Sequence, residues 1–175
     1  MNLQLPIAVS YDMGWQKRAG GRVYDSLSGH GYFIGCRTGK VVAMGVKKKR
    51  CRTCLTYNED GAVMPPHNCN VNHAGSSGSM EGDLCLDLLN LINSETDEKV
   101  FVSHLVTDDD TTLRANCANE NKGGKLPNNI KQPHFLADPS HRIKVMAKPI
   151  FAMVTNNKDQ SKLKMIDALR IKKYI

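Results

Sequence analysis

Carboxylates occur at three separate points of the sequence where metal-assisted chemistry would need them. Asp12 follows the apolar run Ile7–Val9, and the triplet Asp108–Asp110 follows the β-rich run Val100–Val106. Glu81 lies in the first turn of a predicted helix. An acidic group at the end of a buried strand is costly unless water, a hydrogen-bond donor or a metal ion receives it. Together these acids could hold divalent metal beside a phosphodiester.

Each of these acids also has a simpler interpretation. Asp12 could cap the turn that follows its strand, and one residue of the triplet 108–110 could cap a helix that starts near Thr111. A glutamate in the first turn, such as Glu81, is favoured by the helix dipole alone. The catalytic interpretation therefore depends on whether the acids meet in space.

A second group of potential ligands contains thiols and imidazoles. Cys51 and Cys54 form a C-x2-C pair, and His67, Cys69 and His73 follow at short spacing. This pattern favours zinc over a disulfide framework, and three thiolates with one imidazole form a standard tetrahedral set. The spacing leaves His67 and His73 as alternatives for the fourth ligand. The intervening segment has no helix or strand signal, so we predict a loop ordered by zinc.

Basic residues lie where a polyanion could reach them. The net charge of +7 and the isoelectric point near 9.1 favour an anionic partner, most commonly nucleic acid. The predicted nucleic-acid-binding residues are Trp15, Lys17, Arg18, Lys47, Lys48, Lys49 and Arg50. The run 47–50 could equally be a solvated strand end or a nuclear import signal.

The predicted elements form an antiparallel three-stranded meander, or a four-stranded one if each early β-rich run is a strand, followed by a helix and a further parallel strand. The predicted strands are Ile7–Val9, Val23–Ser28, Tyr32–Cys36, Val41–Val46 and Val100–Val106, and glycine-bearing turns join the early ones. The predicted helices are Ser79–Asn93 and the amphipathic segment Asp159–Ile175, and residues 116–131 are predicted to be an exposed loop. This order is that of the α/β ribonuclease-H-like (RNase-H-like) fold, in which the first and fourth strands are neighbours.

The bulk composition fits a folded intracellular protein. The 175 residues are 41% hydrophobic and 23% charged. No signal-peptide pattern and no apolar run near the ~20 residues of a membrane span occur in the sequence. We predict a single core over 1–175, an embedded zinc-binding insertion at 47–75 and the start of a C-terminal helical part at 138–175.

Several unconnected motifs resemble the catalytic domain of Mutator-like transposases, a DDE group with an RNase-H-like fold. They are Asp12-Met13-Gly14-Trp15-Gln16-Lys17-Arg18, the Cys51/Cys54 pair, His67-Asn68-Cys69, Gly75-Ser76-Ser77 with Met80-Glu81, and the Asp108 cluster. In addition, Asp138-Pro139-Ser140-His141 is similar to the C/D-x-x-H signature of that superfamily.

The resemblance implies DNA cleavage and strand transfer at transposon terminal repeats, with Mg²⁺ or Mn²⁺ as the catalytic ion. It also implies a nuclear location, and we expect no membrane association; a homo-oligomer is compatible with this interpretation. The implied catalytic candidates are Asp12, Asp108, Glu81, Asp110 and His141. The family arrangement favours His67 over His73 as the fourth zinc ligand.

The expected third catalytic acid has no clear match in the sequence. It should lie on a helix after the signature, where Asp167 does not differ from an ordinary surface residue. We therefore expect the true glutamate beyond Ile175 and an incomplete catalytic core. Two other functions stay open: a non-catalytic, zinc-stabilised DNA-binding module derived from a transposase, and a nuclease acting on RNA–DNA hybrids.

Overall fold

The computed structural model describes residues 4–17, 25–60, 63–96, 99–108 and 110–156, without the side chains of 58–60 and 149–156. The strands are β1 (Leu5–Trp15), β2 (Ser28–Gly35), β3 (Val41–Lys48), β4 (Val100–Thr107) and β5 (His134–Ala137). The helices are α1 (Arg52–Asp60), α2 (Met80–Glu95), α3 (Thr111–Asn116) and α4 (Pro139–Asn156), with a short 3₁₀ turn at Glu120–Lys122. None of these helices is long and apolar enough to cross a membrane.

The described strands form one mixed sheet. Their order is β3-β2-β1-β4-β5, with β1 antiparallel to β2, β2 antiparallel to β3, and β1 parallel to β4. The predicted mixed α/β architecture is confirmed. The chain divides into two compact units, Met1–Leu136 and Ala137–Ile175, and the sheet core lies in the first.

Helix α2 covers one face of the sheet because glycines leave room for it. A side chain on Gly31 would come within 2.9 Å of the Leu84 side chain, and one on Gly45 within 2.7 Å. Leu84 and Leu88 are almost fully buried in this contact, together with Phe33 of β2. Because α2 packs so closely on the sheet, the distance between the sheet and the first turn of α2 is fixed. This first turn carries Glu81.

The early strands differ from their predicted bounds. Strand β1 has 11 residues and contains Pro6 and Gly14, which we expected to bound it. The predicted turn at 28–31 is instead the start of β2, because its glycines lie on the buried face at alternate positions around the exposed His30. The predicted strand Val23–Ser28 is not found at 25–27, and its residues 23 and 24 lie outside the described residues.

Two segments predicted to be loops are ordered differently. Helix α1 occupies part of the zinc-binding segment, where no apolar stripe marks a helix in the sequence. Residues 116–131 are not simply exposed, because Leu126 and Ile130 are buried and the Asn119 side chain donates hydrogen bonds to the carbonyls of Pro127 and Ile130. The predicted helix Asp159–Ile175 and Asp167 lie outside the described residues.

Candidate carboxylate site and zinc centre

Asp12 lies within β1, just past the part of that strand that pairs with β4, and Asp108 directly follows the end of β4. The last paired residues of β1 and β4 are Ser10 and Val106, so the same register places Asp12 opposite Asp108 two residues further on. Adjacent strands are ~4.8 Å apart, which is within the reach of two carboxylates that share one cation. Both residues are exposed, so solvent and substrate can reach this edge of the sheet.

A bulge in β4 sets which residue stands opposite Asp12. The register shifts between Ile7 and Ala8 of β1, where Ile7 pairs with Val102 but Ala8 pairs with His104. The extra residue, Ser103, donates a hydrogen bond from its hydroxyl to the Ile7 carbonyl at 2.9 Å. After a bulge the side chains of the bulged strand change face. As a result Thr107 points into the core and Asp108 to solvent.

Glu81 is brought to the same region by the first turn of α2. The buried Tyr11 of β1 donates a hydrogen bond from its hydroxyl to the Glu81 carbonyl at 2.8 Å, which ties the helix start to the strand that carries Asp12. Burial, followed by the negative charges of Asp110, Asp12 and Asp108, raises the pKa of the Glu81 carboxyl to about 7. The three elements therefore place their acids within electrostatic reach of one another.

Asp110 caps helix α3, as the simpler interpretation of the acidic triplet predicts. Its carboxylate accepts a hydrogen bond from the Thr112 backbone N–H at 2.7 Å. Helix α3 approaches α2 closely because Gly82 has no side chain: a β-carbon there would lie 2.6 Å from the Asn116 amide nitrogen. This packing explains why Asp110 is the first of the charges that raise the Glu81 pKa. Asp109 lies outside the described residues.

The carboxylates form a looser group than a finished metal site. Among the described residues, no three acids have ligand atoms that all lie within 4.8 Å of one another. One oxygen of Asp12 accepts a hydrogen bond from the Met13 backbone N–H at 2.8 Å. Neighbouring negative charges repel, and this repulsion contributes to the raised pKa of Glu81. Binding of a divalent cation by these acids stays a prediction.

The cysteines and His67, in contrast, form a compact ligand set. Single ligand atoms of Cys51, Cys54, His67 and Cys69 all lie within 4.8 Å of one another. The Cys54 sulfur lies 3.3 Å from His67 Nε2 and 3.5 Å from the Cys69 sulfur. Neighbouring ligand atoms around a tetrahedral zinc ion lie about 3.5–3.8 Å apart, given bond lengths of ~2.3 Å to sulfur and ~2.0–2.1 Å to nitrogen. This cluster could bind zinc with little movement.

The protonation of the cluster also suits a metal. A backbone hydrogen bond at Cys54 lowers the pKa of Cys51 to about 6, whereas the hydrogen bond to Cys69 raises the pKa of Cys54 to about 11. Cys51 therefore loses its proton readily while Cys54 keeps its own, and a metal ion bound between them would take the place of the remaining proton. The Nδ1 atom of His67 lies 3.2 Å from the Pro65 carbonyl, an orienting contact typical of metal-binding histidines that leaves Nε2 for the metal.

His73, the alternative ligand, does not belong to this set. It is buried, with Nδ1 lying 3.2 Å from an oxygen of Asp83 and Nε2 2.9 Å from the Ser76 carbonyl. Lys125 pairs with the other Asp83 oxygen at 3.3 Å. These side chains line a cavity of about 450 Å³ beside α2. Asp83 therefore contacts both His73 and Lys125, and His73 links α2 to the loop that precedes it.

The return of the zinc-binding segment to the sheet is fixed by Asn72. Its side chain accepts a hydrogen bond from the Lys48 backbone N–H at 2.7 Å and donates one to the Val46 carbonyl at 2.8 Å. The backbone N–H groups of Asn72 and His73 also donate to the Lys48 carbonyl. The segment therefore leaves the sheet at the end of β3 and returns to the same strand end.

The predicted basic run is wrong at one position. Lys47 is only 6% exposed, and its ammonium lies 2.6 Å from a carboxylate oxygen of Asp87 on α2. The alternation of β3 turns Lys47 to the helix-covered face, so it pairs internally and is not part of a surface patch. Lys48 and Lys49 are partly exposed and Arg50 is exposed, so these three can still meet an anion.

The aromatic and basic residues after β1 have different surroundings. Trp15 packs against the hydrophobic core, and the exposed Lys17 forms an ion pair with Asp25. Arg18 lies outside the described residues. Contact of these residues with nucleic acid stays a prediction.

Asp138 and His141 lie in the second compact unit. Asp138 caps α4, accepting hydrogen bonds at 2.9 Å from the Ser140 backbone N–H and at 2.8 Å from its hydroxyl. These hydrogen bonds lower the pKa of Asp138, and His141 and Lys144 lower it further. The aspartate and histidine of the signature are therefore electrostatic neighbours at the start of one helix.

Comparison with known proteins gives one result that covers the whole described chain. A family model described as Mutator-like transposase matches residues 2–175, which confirms the resemblance inferred from the motifs. Neither a search of curated proteins nor a search of solved structures found a significant match.

Proposed function

We propose that this chain, which belongs to the Mutator-like transposase family, forms part of the catalytic core of a DNA transposase that cleaves and transfers phosphodiester bonds at transposon ends. The observation that carries the proposal is the parallel pairing of β1 with β4, whose register aligns Asp12 with Asp108, while the Tyr11 hydrogen bond holds the first turn of α2 with Glu81 nearby. The strand order β3-β2-β1-β4-β5, with β1 parallel to β4, supports an RNase-H-like fold for the unit that holds them.

Asp12, Asp108 and Glu81 would hold Mg²⁺ or Mn²⁺ at this edge of the sheet. The bound ions would supply an activated water or 3′-hydroxyl and stabilise the leaving oxygen. The chain itself positions the ligands: the parallel register aligns Asp12 with Asp108, and the Tyr11 hydrogen bond holds the first turn of α2 beside them. Asp110 would act chiefly through its cap on α3 and its charge.

The Cys51, Cys54, His67 and Cys69 cluster would hold a structural zinc ion. All four ligands are present and none is left for an open coordination position, which is typical of structural and not catalytic zinc. Its place at the end of β3, directly after Lys48, Lys49 and Arg50, suggests that it presents these cations to the DNA backbone.

A second candidate is a zinc-stabilised DNA-binding module without catalysis. The hydrogen bonds that Asp12 and Asp110 already make within the protein favour it, since each acid has a local role without metal. This candidate predicts DNA binding that weakens steeply with salt and no metal-dependent cleavage.

Nicking of supercoiled plasmid by the zinc-loaded chain separates the two candidates. We expect weak nicking with Mg²⁺ or Mn²⁺ held by Asp12, Asp108 and Glu81, and its reduction to the metal-free background by Asp12→Asn or Asp108→Asn. The matched control is Glu95→Gln, which removes an exposed acid at the far end of α2. Salt-sensitive DNA binding without nicking would instead support the non-catalytic module. Preference for RNA–DNA hybrid over duplex DNA in the same assay would support the nuclease.

A further inference from the structure

An exposed histidine lies beside Asp12 that no family motif pointed to. His30 of β2 pairs directly with Gly14 of β1, and its ring covers that residue. A β-carbon on Gly14 would lie only 2.5 Å from Nε2 of His30 and 2.9 Å from Cε1. Glycine at position 14 therefore allows the imidazole to lie flat across β1.

The position of the ring is fixed from the other side as well. His30 and Tyr32 contact each other edge to face, with ring centroids 5.5 Å apart. Tyr32 is the partner of Asp12 across the same two strands. Directly paired residues share a face of the sheet, and diagonal neighbours lie about 7–8 Å apart. The imidazole is therefore held on the face of Asp12 and close to it.

The chemistry of His30 is unused within the described part of the chain. Its side chain is exposed, and among the described residues neither ring nitrogen has a hydrogen-bond partner. A lysine or arginine here would tend to pair with Asp12, whereas a histidine can donate a hydrogen bond to a phosphate without a permanent charge that competes for the acid.

We propose that His30 binds the phosphate backbone of the DNA strand that is presented to Asp12. The inference deepens the proposed function and rests on it, because it adds a substrate-contacting residue to the same site. His30 donates from the imidazole to a phosphate oxygen, and Gly14 and Tyr32 hold the ring in the orientation needed. The role is binding and orientation of the substrate; the reacting groups stay with the carboxylates.

The first experiment measures binding and cleavage separately. Affinity for a labelled DNA duplex is followed by fluorescence anisotropy with Ca²⁺, and nicking by Mg²⁺-dependent steady-state kinetics. His30→Ala should weaken DNA affinity and raise KM about tenfold while kcat changes little, because a hydrogen bond to a charged group is lost in ground and transition states alike. His30→Gln keeps an N–H donor and should recover part of the affinity.

The matched control is His104→Ala. His104 is also an exposed histidine, and it lies on the same face of the sheet, paired with Ala8 of β1. Ala8 is four residues before Asp12, about 13 Å along the strand. This variant should bind and cleave DNA as the unmodified chain does.

A double-mutant cycle tests the geometry. Gly14→Ala should push the ring aside and reproduce the loss of affinity seen in His30→Ala, whereas Gly14→Ala added to His30→Ala should have little further effect. Equal losses from Gly14→Ala with and without His30 would show that the glycine acts through the strand alone, and would overturn the assignment.

The outcomes separate this inference from the proposed function. If the unmodified chain nicks DNA but His30→Ala leaves both affinity and KM unchanged, the inference is wrong and the function stands. If no variant nicks DNA, the function is wrong, and the anisotropy measurement still decides whether His30 binds phosphate. A loss in His30→Ala matched by His104→Ala would mean a general effect of surface histidines and would also overturn the proposal.

Discussion

The zinc centre and the carboxylate site are assembled in opposite ways. The zinc ligands come from one short stretch of chain, 51–69, and their donor atoms already lie within 4.8 Å of one another. The acids come from β1, from α2 and from the residue after β4, and only sheet register and helix packing bring them near one another. One site is therefore a local property of the sequence, and the other is a property of the fold.

The two sites also differ in the protonation of their ligands. The pKa is lowered at Cys51 and raised at Cys54, so the cluster combines a readily formed thiolate with a thiol that keeps its proton. Burial, and after it the negative charges of Asp110, Asp12 and Asp108, raises the pKa of Glu81, so the folded protein favours a proton there. The Cys/His cluster is therefore preformed for a cation, whereas the carboxylate site combines burial with repulsion between its acids.

Removal of zinc should produce the largest effect. Cys54→Ser removes the ligand at the centre of the cluster, so zinc content should fall from equimolar to a small fraction after dialysis against a chelator, and the segment 51–72 should lose protection from proteolysis. Zinc content can be measured by atomic absorption and protection by limited digestion.

Two variants serve as controls for the zinc prediction. Cys36→Ser removes an exposed cysteine outside the cluster, and His73→Gln removes the imidazole that is hydrogen-bonded near α2. Both should keep the full zinc content. Zinc loss in His73→Gln together with retention in His67→Gln would reverse the ligand assignment.

The pH dependence of stability should show the next largest effect. The pKa of Glu81 is about 7 in the folded chain against an ordinary 4.5, so the folded state holds a proton that the unfolded state releases. The free energy of unfolding should therefore fall as pH rises between these two values and stay low above pH 7.

Glu81→Gln isolates this contribution. The variant should match the unmodified chain near pH ~4 and be more stable by about 1–3 kcal/mol near pH ~8, as judged by urea unfolding at both pH values. Glu95→Gln, at the other end of α2, is the control and should show no such crossover. A Glu81→Gln variant that is less stable at both pH values would mean that the Glu81 carboxylate is ionised in the folded protein and makes a stabilising contact there.

The smallest effect concerns the cap of α3. Asp110→Ala removes this cap and should lower the free energy of unfolding by about 1 kcal/mol, because the Thr112 N–H loses its acceptor. Glu95→Ala removes an exposed acid from the last turn of α2 and should leave thermal stability almost unchanged. The two melting temperatures, measured without divalent metal, check this contrast, and equal melting temperatures would contradict a stabilising cap at Asp110.

The sequence predicted the parts that depend on near neighbours. The C-x2-C pair, the helix near 79–93 and the strand near 100–106 follow from spacing and periodicity, and the structure contains each of them with small shifts of their ends. The spacing left His67 and His73 as alternatives, and only the family resemblance favoured His67, which is the one found in the cluster. The cap at Asp110 also follows from local chemistry, since an aspartate before Thr111 is a typical helix start.

The parts that depend on distant contacts could not be predicted. Glycines 29 and 31 suggested a turn because their role appears only in the assembled fold, where Gly29 leaves room for the Met13 side chain of β1 and Gly31 for Leu84 of α2. The burial of Lys47 depends on Asp87, forty residues later. The bulge at Ser103, which selects the acid opposite Asp12, has no signature in the strand itself.

Mn²⁺ binding to the zinc-loaded chain, followed by electron paramagnetic resonance, tests directly whether Asp12 and Asp108 share a metal ion. We expect specific binding that Asp12→Asn and Asp108→Asn each weaken by at least about tenfold, with zinc content unchanged. Asp25→Asn should bind Mn²⁺ as the unmodified chain does. Absence of binding, or equal binding by all four proteins, would contradict a metal site shared by Asp12 of β1 and Asp108 after β4.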